Sequence, residues 1–206
     1  MQPQRYRPIA EALALLVATF PLAVGLHLPT LWFLLPFGLV TLTKRSFATY
    51  GLSLRRPGAP AFHAAVLAAV FLPYALGHYL LAHWWSGMHF HFRLPPSFLQ
   101  ALIDQVLLIG LSEEFFFRGY LQTECDRSCG KPYTFLGARW GLGLPIAAAL
   151  FAVCHLAHGG PARLLVFFPG LLYGWLRART DTILVPALYH AFSNLLMQVM
   201  MASLSR

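Results

Sequence analysis

Apolar residues fill the chain in seven runs, approximately 9–28, 29–43, 61–83, 97–123, 144–158, 161–179 and 182–204, with short polar breaks between them. Crossing about 30 Å of hydrocarbon takes roughly 20 helical residues, and fewer where a bilayer thins. The pattern therefore predicts an all-α fold, a polytopic transmembrane helical bundle of about seven spans. The second and fifth runs are short, and Pro36 and Pro145 lie in or beside them, so their edges are the least regular. The whole of 1–206 reads as a single transmembrane domain, with three N-terminal spans in 1–96 and the chemistry-bearing residues in 97–204. The first run follows Arg5 and Arg7 in the manner of a secretory signal. However, it contains Glu11 and continues into a second apolar run without a small-residue cleavage site, which predicts a retained anchor.

Two polar breaks are sizeable. "KRSFATYGLSLRRPGAP" is expected to carry a brief amphipathic turn at Tyr50-Gly51-Leu52 lying flat on the membrane, and "ECDRSCGKPYTFLGARWGLG" is expected to be irregular. The aromatic segment "HWWSGMHFHF" suits a headgroup layer; its histidines, including His83, His89 and His91, read as incidental to that belt before they read as a metal site.

Composition agrees with this picture: 58% of residues are hydrophobic and 11% charged, against roughly 25% charged in soluble domains. The formal net charge of +8 does not signal nucleic acid, because the basic residues form no continuous stripe. They segregate by loop instead. With the N-terminus in the cytoplasm, Arg5, Arg7, Lys44, Arg45, Arg55, Arg56, Arg127, Lys131, Arg139, Arg177 and Arg179 fall inside, and only Arg93, Arg163 and Arg206 fall outside. That asymmetry follows the positive-inside bias and sets the predicted orientation. Three cysteines, Cys125, Cys129 and Cys154, show no paired spacing that demands a disulfide or metal clip.

Against this background the stretch "LSEEFFFRGYLQ" is costly, since an ionised side chain at mid-bilayer costs roughly 3 kcal/mol on the mildest scales. Arg118 follows Glu114 by four residues, the favourable order for a helical ion pair. Neighbouring helical residues diverge by about 100°, so Glu113 is expected to face elsewhere and to be the carboxylate left free to act. The fifth run places Phe151 and His155 on one face, and the seventh places His190 and Asn194 on one face. Glu113, His155, His190 and Asn194 from three helices can then converge on a wet cavity, where they would activate a water and donate hydrogen bonds to an oxyanion. An ion-relaying transporter and a non-catalytic membrane scaffold or immunity protein are the competing classes. The inverted repeats and broken helices common in transporters are not evident in the sequence.

At these residues the sequence resembles the CAAX-processing and bacteriocin-processing (CPBP, or Abi) intramembrane endopeptidases. Their motifs E-E-x-x-x-R, F-x-x-x-H and H-x-x-x-N are met in order by Glu113, Glu114 and Arg118, by Phe151 and His155, and by His190 and Asn194. The resemblance covers roughly 97–204. It implies hydrolysis of a peptide bond near the C-terminus of a membrane-associated or lipidated protein or peptide. Glu113 with His155 would activate the water, His190 and Asn194 would stabilise the oxyanion, and Glu114, Arg118 and Phe151 would support them. The family includes enzymes described as metal-dependent and others described as glutamate-dependent. A zinc ion, if used, would draw on Glu113, His155 and His190; but H-E-x-x-H is absent and Asn194 is a better oxyanion donor than zinc ligand, which favours a metal-free site. The expected partners are a protein or peptide substrate and the bilayer, and the expected location is a bacterial inner membrane.

Overall fold

The computed structural model describes residues 3–53 and 57–205. Arg55, Arg56 and Arg206, which enter the charge-sidedness argument, lie outside the described residues. Seven helices are present among the described residues: α1 (Arg7–Gly25), α2 (Leu31–Leu42), α3 (Pro60–Ser86), α4 (98–129), α5 (Gly143–His155), α6 (Phe167–Thr180) and α7 (Leu184–Ser203). Three are long and apolar enough to cross a membrane by length and composition: the first, extended to Gln4–Gly25, then Pro60–Ser86 and Leu184–Ser203. α2 and α5 are shorter apolar helices.

Local chemistry explains several helix features. α1 turns Ala12, Leu16, Thr19 and Ala23 inward, a stripe at spacings of three and four, and the Thr19 hydroxyl donates to the Leu15 carbonyl at 2.7 Å. α3 widens into a π-turn over Leu67–Phe71 just before Pro73. A proline ring collides with the carbonyl four residues back in a regular helix, and the wider turn relieves that collision. α4 contains two such stretches, Asp104–Gly110 and Phe115–Leu121, on either side of the glutamates.

α4 is the axis of the bundle. Phe115, Phe116, Phe117, Tyr120 and Leu121 are all buried, so this helix is enclosed on every side rather than along one stripe. Trp32 of α2 meets Phe116 edge-on at 4.8 Å, Phe33 meets Phe115 at 4.8 Å, and Phe151 of α5 meets Phe117 at 5.0 Å. α4 also approaches α7 closely at Gly110. A Cβ there would lie 2.7 Å from the Gln105 carbonyl oxygen and 2.8 Å from that of Ala187.

One end of the bundle gathers a polar network. Arg45 donates to both carboxylate oxygens of Glu11 at 2.6 and 2.8 Å and lies 3.5 Å from Glu124. The Tyr50 hydroxyl donates to Glu124 at 2.5 Å, the Tyr120 hydroxyl donates to Glu11, and Arg127 pairs with Glu124 at 3.0 Å. The hydrogen bonds to Glu11 raise the pKa of Arg45, and burial raises that of Tyr50. This corrects two expectations. Tyr50 ends a 3₁₀ turn (Phe47–Tyr50) buried inside the protein, because its hydroxyl satisfies Glu124, and does not lie flat on a membrane. The stretch after Cys129 is not irregular, since β2 (Tyr133–Phe135) and β3 (Ala138–Trp140) form a hairpin closed by Leu136 and Gly137 at φ +44° and +76°. At the opposite end β1 (His89–Phe90) pairs antiparallel with β4 (Leu204–Ser205).

Gly110→Ala is expected to destabilise the protein by about 1–3 kcal/mol through overpacking against backbone. Gly77→Ala, where a Cβ meets nothing within 4 Å, should be neutral or slightly stabilising. Thermal unfolding midpoints of the two variants in one detergent check this; equal midpoints would remove the close α4–α7 packing.

Candidate active site

Burial of the two central charges dictates the arrangement around them. Glu114 and Arg118 are both 0% exposed, one turn apart on α4, with Arg118 Nη1 donating to Glu114 Oε1 at 2.8 Å. Arg118 Nη2 donates to the Gly170 carbonyl of α6 at 3.2 Å. The guanidinium lies 4.3 Å from the ring centre of Phe151 and 5.3 Å from that of Tyr173, cation–π contacts that help an ion out of water. His190 of α7 completes the group, with Nδ1 2.9 Å from Glu114 Oε1. Its ring stacks on Tyr173 at 5.2 Å and 14° between planes and takes the edge of Phe151 at 5.8 Å.

Glu113 approaches the same imidazole from its other nitrogen, with Oε2 4.0 Å from His190 Nε2. This differs from the expectation that the two carboxylates face separate targets. An imidazole presents nitrogens on two sides, and α4 leaves regular α geometry immediately after Glu114, so adjacent residues bracket one ring. Glu113 Oε2 is buried without a hydrogen-bond partner. The 4.0 Å separation is too long for a direct hydrogen bond and within range of an ion-pair contact.

His155 ends α5, stacked against Phe151 at 4.3 Å, with Nδ1 2.8 Å from the Phe151 carbonyl oxygen. Asn194 lies one turn after His190, and its Nδ2 donates to Gln105 Oε1 at 2.7 Å. An amide nitrogen has two hydrogens, so this bond orients Asn194 and leaves a second N–H to offer. His155, Tyr173, His190, Ser193 and Asn194 share the wall of a cavity of about 630 Å³ between α3, α5, α6 and α7, and Glu113 is set behind His190 rather than in that wall. The structure thus brings Glu113, Glu114, Arg118, Phe151, His155 and His190 together, with Asn194 on the same cavity.

Among the described residues no three His, Cys, Asp or Glu side chains group to hold a metal ion.

Two residues that sequence reasoning missed shape the site. Tyr173 packs flat on His190 and donates to Ser193 Oγ at 2.6 Å, and Gln105 holds Asn194. The only signal for either was a polar atom in an apolar run, in "FFPGLLYG" and "ALIDQVLL".

Against known families, the model for type II CAAX prenyl endopeptidase Rce1-like proteins matches residues 94–196. The chain belongs to this family, and it is a protease. No curated protein and no solved structure matches it significantly. The family and the long apolar helices together make it an integral membrane protein.

Replacing Arg118 with Met strands Glu114 and its imidazole partner in a buried setting. Losing one member of a buried ion pair costs roughly 3–5 kcal/mol. The thermal midpoint should fall accordingly, and an unchanged midpoint would show that the pair does not hold the helices together.

Proposed function

We propose that this chain is a glutamate-dependent intramembrane endopeptidase in which Glu113 activates water without a metal ion. The observation that carries this reading is the buried, unpartnered Glu113 Oε2 set 4.0 Å from His190 Nε2. Glu113, assisted by His155, takes a proton from a water, and the resulting hydroxide attacks the peptide carbonyl. His190 and the free N–H of Asn194 donate to the oxyanion, the step where hydrogen-bond donors act most strongly. Glu114 holds His190 at Nδ1, which leaves Nε2 as the nitrogen turned toward the reacting atoms. Collapse of the tetrahedral species delivers the proton held by Glu113 to the leaving amine. Glu114, Arg118 and Phe151 do no chemistry and position the imidazole.

Seven spans with a cytoplasmic N-terminus complete the reading. Supporting contacts tie the basic breaks to one end of the bundle. Arg5 donates to the Ser128 carbonyl, Arg45 pairs with Glu11, and Arg177 donates to the Thr49 carbonyl. The substrate is a membrane-associated or lipidated polypeptide cut near its C-terminus, and the membrane is a bacterial inner membrane.

Glu113→Gln should lower peptide cleavage by at least about 10²-fold while the protein stays folded and inserted. Asn194→Ala should lower kcat by roughly 10²–10³-fold. Both are measured on purified protein with a fluorogenic peptide, and near-normal turnover by the Gln variant removes the assignment. Prolonged treatment with a strong chelator should leave cleavage intact. Loss of activity restored by stoichiometric zinc would replace the metal-free mechanism.

A further inference from the structure

Among the described residues the wall of the catalytic cavity holds one permanently charged side chain, Arg163, among apolar, aromatic and neutral polar neighbours. It belongs to the 3₁₀ segment Pro161–Val166 that joins α5 to α6, and it is exposed. Arg45, Arg118, Arg127 and Arg177 each sit against a carboxylate, at 2.6, 2.8, 3.0 and 2.8 Å respectively. Among the described residues no carboxylate lies within ion-pair distance of Arg163, and its side chain makes no hydrogen bond. The preceding turn leaves it room. A Cβ at Gly159 would lie 2.9 Å from Arg163 Nε and 3.3 Å from its Cγ, so any larger residue displaces the side chain.

An unpaired guanidinium in the wall of an apolar cavity is a receptor for a planar anion. Its parallel N–H groups match the two oxygens of a carboxylate, and low-dielectric walls strengthen the pair. At about 630 Å³ the cavity lies in the range of small-ligand sites, roughly 300–1,000 Å³, and holds a short peptide end rather than a chain running through. We propose that Arg163 is a specificity-determining residue that holds a carboxylate of the substrate, foremost the free C-terminal one, while the scissile bond lies at Glu113 and His190. This inference rests on the endopeptidase reading above.

The test uses the full chain in nanodiscs of neutral phosphatidylcholine, in the Glu113→Gln background so that binding is read without turnover. The probes are one fluorescent apolar decapeptide in three forms: C-terminal acid, C-terminal amide, and amide with a penultimate aspartate. Anisotropy should show the acid form binding about 10–100-fold tighter than the plain amide, the worth of a charge-assisted hydrogen bond. Adding Arg163→Gln should erase that preference, and Arg163→Lys should keep part of it. Tight binding of the aspartyl amide, lost in the same variant, places the recognised carboxylate on a side chain. Equal binding of all three forms, or an acid preference that survives Arg163→Gln, overturns the proposal. So does an Arg163 effect seen only as altered retention of phosphatidylglycerol, which would make the partner a lipid phosphate. With Glu113 intact, the Arg163→Gln effect on the acid form should fall on KM. An enzyme that keeps the acid-selective binding and cleaves none of the peptides would sink the endopeptidase reading and leave the carboxylate site standing.

Discussion

The contact on which the rest depends is the buried triad of Glu114, Arg118 and His190. Taking a carboxylate and a guanidinium fully out of water costs several kcal/mol per ion unless nearly every polar atom finds a partner. The surroundings supply partners from three other helices, the Gly170 carbonyl from α6, the Phe151 face from α5 and the His190 imidazole from α7, and leave Glu114 Oε2 and Arg118 Nε without a hydrogen bond. Gly170 is part of the same solution, because a Cβ there would lie 3.1 Å from Arg118 Nη2. The charges therefore act as a gauge for helix spacing. Were α5, α6 or α7 displaced, the ion pair would be left exposed to hydrocarbon rather than to water.

This requirement also separates holding from reacting. Glu114 Oε1 receives both Arg118 and His190, which fixes the imidazole with one nitrogen directed at Glu113. Glu113 has no such escort, and its Oε2 keeps its hydrogen-bonding capacity for something else. Adjacent acids in one sequence thus differ in their contacts, because one lies on the arginine's side of the helix and the other does not. The π-turns flanking them let both reach a single ring, which a regular helix would not readily allow.

Hydropathy and spacing made the seven helices and the pairs Glu114/Arg118, Phe151/His155 and His190/Asn194 legible, since each depends on residues a few positions apart. Tyr173 and Gln105 were not legible, because their partners are 17 and 89 residues away in the chain and only packing joins them. The same holds for Tyr50, whose hydroxyl meets Glu124 across 74 residues. A tyrosine beside glycine in a basic loop looks interfacial until its distant acid is known. The hairpin at Tyr133–Trp140 was hidden for a local reason: its turn uses Leu136 at positive φ, where asparagine or aspartate would have announced it.

Two polar systems share α4 and are kept apart by its own apolar residues. Glu124 and Tyr120 belong to the network with Glu11, Arg45 and Tyr50, while Glu113 and Glu114 belong to the site. Between Glu114 and Tyr120 lie Phe115, Phe116 and Phe117, each at most 1% exposed, together with Arg118, which faces Glu114. The cavity beside His190 has Val70, Phe71, Pro73 and Tyr74 of α3 in its wall. α3 buries only Val66 and Phe71 along its whole length and carries a π-turn and a proline at that wall, so a lightly packed helix borders the cavity that His155, His190 and Asn194 share.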